Sequence, residues 1–250
     1  MTENEDISSE VPIYRHIEKE HRDFRPVSGN SEIELISEHI EKHLGNIDSV
    51  FHEIVSELVH IDIHYIKPSD KFPFQIFVTS GMSDRPMNVP DGQDDNRYAE
   101  LCVLLPRDWP IQTENYKILV DAFKDENSFW PIRWLKIIAR FPHEYDTWIG
   151  WGHTIPNGEE AMPFSDNTEL GCILIMPGIS LPHQFFELKI NEDKIIKFYS
   201  LYPIYKEEMD YRLQNGTDKL LDKFDKFKIR DVIDINRPNT CLKKGLFGLW

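Results

Sequence analysis

Three apolar runs follow one another closely: LVHIDIHYI at 58–66, FPFQIFVTS at 72–80 and RYAELCVLLP at 97–106. In the first, Val59, Ile61, Ile63 and Tyr65 alternate with His60, Asp62 and His64. That period-2 pattern predicts a strand with one apolar face and one polar face, half-buried on a sheet. The connections between strands are short, so the sheet is expected to be largely antiparallel. Farther on, GCILIMPG (171–178), QFFELKI (184–190) and KIIKFYSLYPI (194–204) supply more strands, the last two joined by a polar hairpin turn at Asn191-Glu192-Asp193. VIDI at 232–235 is a last short strand, and residues 50–54 fit helix or strand equally.

Helices are expected toward the ends. Ile33, Ile36, Ile40 and Leu44 recur at helical spacing, with Ser31 and Glu34 as a capping box and Gly45 as terminator, predicting a helix over 32–44. SFWPIRWLKIIARF (128–141) places Phe129, Ile132, Leu135, Ile138 and Ala139 on one face, with Pro131 suited to a first turn. Further helices fit 203–212 and 217–227, divided by Asn215-Gly216. No repeat and no flexible linker divides the chain. The expected fold class is α+β: a single domain with a mixed, largely antiparallel sheet flanked by helices. A polar, partly disordered segment over 1–30 precedes it, and a tail over 241–250 follows.

The chain carries 43 acidic against 28 basic residues, a net charge of −15. Such a field repels nucleic acid and anionic membrane and attracts basic proteins. MTENEDISSE lacks the features of a signal peptide. The uncharged stretch 171–186 is too short to span a bilayer and is broken by Pro177 and Pro182. Cys102, Cys172 and Cys241 form no CxxC pair. A cytoplasmic protein with reduced thiols is expected.

Motifs for chemistry are mostly missing. The sequence has no GxxxxGK[ST], no GxGxxG after a strand, no GxSxG and no HExxH. Ser80 and Ser83 have no base assignable by spacing. His39 and His43 converge at i, i+4 on a helix. His60 and His64 would stand roughly 13 Å apart on an extended strand, too far to share an ion; Asp62 completes a site with one of them or lies on a solvated face. Trp148, Trp151 and His153 line a pocket or pack where a helix gives way to a strand. Acidic residues cluster in two loops: Asp84, Asp91, Asp94 and Asp95 in one, Glu159, Glu160 and Asp166 in the other. These seven are the expected partner-binding residues, since acidic loops speed encounter with a basic partner.

The HxD strand at 60–62, the Pro68 corner, TSGMSD at 79–84, MNVP at 87–90 and AELCVLLP at 99–106 stand in a distinctive order. WPIRWLKIIARFPHEYDTWIGWGHTIPNG (130–158), PFSDNTELGCILIMPG (163–178) and LYPIYKEEMDYRLQNGTDKLLDKF (201–224) continue it. This order resembles the suppressor-of-fused-like domain family, in particular its bacterial branch, over about residues 36–239. The resemblance implies a protein-binding domain over 31–240, with no catalytic residue and no cofactor or metal. It implies that Gly81, Met82, Ser83, Met87 and Pro90 are architectural. Bacterial members are implied to act as immunity proteins (antitoxins) against a partner toxin, commonly a nuclease, and eukaryotic relatives to sequester a transcription factor. A non-enzymatic immunity protein with a basic toxin as partner is therefore expected. A regulatory scaffold for an endogenous protein is the alternative, and a metal-dependent hydrolase built on His60–His64 and Trp148–His153 stands third.

Overall fold

In a computed structural model, residues 32–52, 59–111 and 125–242 are described. They form, in order, α1 (Ile33–Leu44), β1 (Ser49–Phe51), β2 (Asp62–Ile66), β3 (Phe74–Ser80), β4 (Tyr98–Pro106), α2 (Glu126–Tyr145), β5 (Thr154–Pro156), β6 (Cys172–Met176), β7 (Glu187–Lys189), β8 (Ile195–Ile204), α3 (Lys206–Asn215) and α4 (Thr217–Phe227). The strands make one open sheet in the order β1-β2-β3-β4-β8-β6-β5, with β7 also paired to β8. Among the described strands, β4 and β8 pair in parallel and the other pairs are antiparallel. The domain is α+β, as its sequence predicts.

Alternation along β8 divides the core into layers. Tyr199 and Leu201 join Ile61, Ile63, Phe77, Val103 and the buried stripe of α2 on one face. Ile196 and Phe198 meet Ile36, Ile40 and Leu44 of α1 on the other. Farther along that second face, Tyr202 and Ile204 pack on Met209, Leu220 and Phe224 of α3 and α4. Helices thus flank the sheet on both faces, as expected; the half-burial expected of β2 is corrected. β2 is buried along its whole length, and its polar face is closed too: Asp62 is 1% exposed and His64 0%. Alternation located the apolar face, but a second helical layer lies beyond what a local pattern reports.

Several boundaries also differ from expectation. Ser31 lies outside the described residues, and α1 is capped at Glu32, whose carboxylate bonds Lys194 instead of the helix amides. α2 starts at Glu126, capped by Asp125, so Pro131 falls in its second turn rather than its first. Pro203 and Ile204 end β8, where they pair with Ile173 and Cys172, and α3 begins only at Lys206. Of VIDI, Val232 makes a single parallel bridge to Leu104. Residues 49–51 take the strand alternative. The hairpin turn before β8 forms as predicted, with Ile190 N–H donating to Lys194 O, but Phe185 and Phe186 lie in a 3-10 turn.

Near the C-terminal end of the described chain, Arg237 inserts its guanidinium against Glu208 of α3, at 2.9 and 2.5 Å. Thr240 donates to the same carboxylate through N–H and hydroxyl, both at 2.9 Å. This clasp pins residues 237–240 to the domain; the apolar end of the predicted tail lies outside the described residues. Among the described residues, no helix is long and apolar enough to cross a membrane.

Candidate functional site

The TSGMSD stretch turns out to surround one carboxylate. Glu100 on β4 is fully buried and accepts four hydrogen bonds. Thr79 Oγ1 donates to Oε2 at 2.6 Å. Gly81 N–H (3.0 Å), Ser83 N–H (2.9 Å) and Ser83 Oγ (2.6 Å) all donate to Oε1. Bringing three residues of one turn onto one side chain demands a sharp corner. Gly81 supplies it at φ 103°, and a Cβ there would stand 1.9 Å from His60 O. No residue but glycine fits that backbone and that space. Met82 and Met87 fill the volume behind the corner, both buried, and His143 of α2 donates to Met82 O at 2.9 Å.

All four donors to Glu100 are electrically neutral. Burial therefore dominates and pushes its carboxyl up to about 7, against the opposing hydrogen bonds from Ser83 and Thr79. The next residue, Asp84, is half-buried and raised to about 6: burial acts first, Lys194 opposes it, and Glu32, His60 and Asp62 add smaller contributions. Lys194 reaches in from the hairpin turn to Ser83 O at 2.7 Å and to Glu32. Beside this group, the Asp62 carboxylate accepts from His52 Nδ1 and His60 Nε2, each at 2.9 Å. The sequence placed His60 and Asp62 together; His52 was not singled out. His64 is engaged elsewhere, with Ser80 Oγ at 2.9 Å. His39 and His43 do converge, ring centroids 4.6 Å apart, but His39 Nε2 donates to Phe185 O, a core role. Among the described residues, no group of three or more His, Cys, Asp or Glu is arranged to hold a metal ion.

Beyond the corner the chain leaves the core. Pro90, Asp91, Asp94 and Asp95 are exposed, and Asp94–Asn96 forms a short 3-10 turn. Glu159, Glu160 and Asp166 are exposed as well. The two acidic loops do not meet. The β3–β4 connection leaves the end of the sheet where β8 begins, and the β5–β6 connection the end where β8 finishes. They also flank opposite ends of α2: Asn88 bonds Asp146 O and Thr147 O at one, Asn167 bonds Asn127 O at the other. A 20-residue helix spans about 30 Å, so each loop is a separate surface. Trp148 packs on His153 with centroids 4.4 Å apart, while Trp151 is 51% exposed.

Sequence reasoning passed over Glu100 and Lys194. A lone glutamate inside the apolar run YAELCVLLP was the available signal, because a charge on a strand buried on both faces must have partners. Nothing in the sequence marks Lys194 among the chain's many lysines.

The profile of the Suppressor of fused protein (SUFU) family matches residues 57–238. An uncharacterized protein of Ureaplasma parvum serovar 3 is 27% identical over 209 residues, covering 83% of this chain and 94% of that one. Among solved structures, a suppressor-of-fused homolog from Neisseria gonorrhoeae superposes with a TM-score of 0.61 at 20% identity, covering 86% of this chain and all of the other. The Sufu–Fu complex gives 0.56 at 14% identity, covering 83% and 91%. Drosophila Suppressor of Fused gives 0.55 at 13%, covering 82% of this chain and 50% of the fly protein. The ordered motifs, the open mixed sheet and the matched profile agree: this chain belongs to the suppressor of fused family.

Proposed function

We propose that this chain is a non-enzymatic, cytoplasmic binding domain, spanning about residues 31–240, that acts as an immunity protein by capturing a basic toxin. The carrying observation is the β3–β4 loop: Asp91, Asp94 and Asp95 stand exposed on a corner anchored by Glu100 and Gly81. An acidic loop on a chain of net charge −15 steers basic proteins. Nuclease toxins need basic surfaces for phosphate, which such a loop can occupy in place of nucleic acid. The β5–β6 loop with Glu159, Glu160 and Asp166 is a second contact of the same chemistry at the far end of the sheet.

A regulatory scaffold for an endogenous protein is the other reading, supported by the fold's likeness to Sufu in the Sufu–Fu complex. Co-expression separates the two. The product of the neighbouring gene is expressed alone and with this chain, and colonies are counted. Toxicity relieved by this chain supports immunity; a harmless neighbour, or an unrelieved toxic one, supports the scaffold.

A further inference from the structure

We propose that Glu100 is a proton-binding site built into the fold, one that makes the β3–β4 turn and the acidic loop it carries responsive to pH. The argument starts from hydroxyl geometry. Thr79 Oγ1 lies 2.6 Å from Glu100 Oε2, accepts from Leu101 N–H at 2.8 Å, and has a second acceptor, Leu101 O, at 3.4 Å. With Glu100 ionised, the Thr79 hydroxyl donates to Oε2. With a proton on Oε2, the direction reverses: Glu100 donates to Thr79, whose own hydrogen turns to Leu101 O. A hydroxyl has one hydrogen and two lone pairs, so both arrangements are satisfied without moving a heavy atom. Oε1 keeps its three donors from Gly81 and Ser83 in either state. A cage whose charged form alone was satisfied would hold its carboxylate permanently ionised. This one accommodates both forms.

The surroundings hold the balance near neutrality. Glu100 is buried among neutral donors, with the Asp84 charge beside it opposing ionisation. Asp84 faces Lys194 of the hairpin turn, Glu32 of α1, and His60 and Asp62 at the start of β2. From α2, His143 bonds Met82 O close to Arg85; burial holds this imidazole down at about 4, so it stays uncharged above that pH. His64, likewise held down by burial to about 4, pairs with Ser80. Lys194 is the fixed cation at the corner, and it is engaged with Glu32 and Ser83 O rather than with Glu100.

Losing the proton strengthens the amide donors of Gly81 and Ser83, because hydrogen bonds to a charged acceptor are the stronger ones. It also adds a negative charge at the turn from which the loop of Asp91, Asp94 and Asp95 departs. The consequence for docking rests on the proposed function: a basic partner binds more tightly above neutrality and, by linkage, draws the proton off Glu100.

The test uses the full chain without any partner, so its failure is distinct from failure of the docking reading. The carboxyl carbon of Glu100 and the amides of Gly81 and Ser83 are followed by NMR from pH 5 to 8.5. The expected result is one titration near neutrality shared by all three signals. Glu100→Gln abolishes it in the amides. Thr79→Val moves its midpoint upward, since the hydroxyl favours the ionised form. A Glu100 carboxyl ionised throughout the range overturns the proposal, as do amide shifts that persist in Glu100→Gln, which would assign them to Asp84. If Glu100→Gln fails to fold, coincidence of the carboxyl and amide midpoints in the wild type decides.

Discussion

Two buried glutamates, both 0% exposed, are held by opposite means. Glu208 meets the Arg237 guanidinium and the N–H and hydroxyl of Thr240. Burial pushes its carboxyl up, but the hydrogen bonds and charge of Arg237 outweigh that and leave it below the usual carboxylate range. Glu100 meets only uncharged donors, and burial wins. In this fold, hydrogen bonds from neutral donors do not offset the burial of Glu100, whereas the Arg237 counter-ion, with its hydrogen bonds, offsets that of Glu208. One glutamate is a fixed clasp for the end of the domain. The other is the proposed proton site at the β3–β4 turn.

The sharpest way to break the comparison is to remove the counter-ion. Arg237→Ala strands Glu208 as an unpaired buried charge and is expected to cost about 3–5 kcal/mol, seen as a lower urea midpoint. Gly81→Ala attacks the other cage through its backbone. Strain at positive φ alone costs about 1–3 kcal/mol, and the contact with His60 O adds to it; thermal unfolding would register the loss. If the variant melts like the wild type, the corner is not anchored as described.

pH separates the two glutamates by sign. Glu208 is depressed, so its contribution is present above the usual carboxylate range and fades as pH falls through its lowered folded value. Glu100 is raised, so its contribution is present below about 4.5 and is lost as pH rises to about 7. Glu100→Gln is expected to flatten the decline of stability between about pH 4.5 and 7 in denaturant titrations, leaving a smaller decline from Asp84 between 3.8 and about 6. An unchanged slope would remove Glu100 from the account. The smallest effect on stability is expected from reversing Asp91, Asp94 and Asp95 together: within about 0.5 kcal/mol, as for exposed sites in general. Partner association should nonetheless slow, and lose its salt dependence, in stopped-flow measurements. Unchanged kinetics would take the loop out of the proposed interface.

The elements themselves were largely legible, because α1, β2, the β7–β8 hairpin and α4 each have a local cause in side-chain period or turn chemistry. The architectural role of Gly81 came only from the family resemblance, and its φ of 103° and the close approach to His60 O give it a physical cause. The site was less legible. The sequence placed all seven acidic candidates in two loops, but the sheet register separates those loops to opposite ends. It turned Asp84 inward while Asp91, Asp94 and Asp95 stayed exposed. Alternation also leaves one face of β2 half-exposed, whereas Asp62 and His64 on that face are buried and hydrogen-bonded.

What the sequence determined by itself, then, is the alternation and the helical periods, set by residues close along the chain, and the acidic excess, set by composition. What only the tertiary structure decided is which charges meet. Glu100 joins Thr79 and Ser83 across a strand pair, Lys194 joins Glu32 across 162 positions, and Arg237 joins Glu208 across 29. Electrostatic energy depends on distance in space and on the water excluded between charges, and neither is encoded in spacing along a chain.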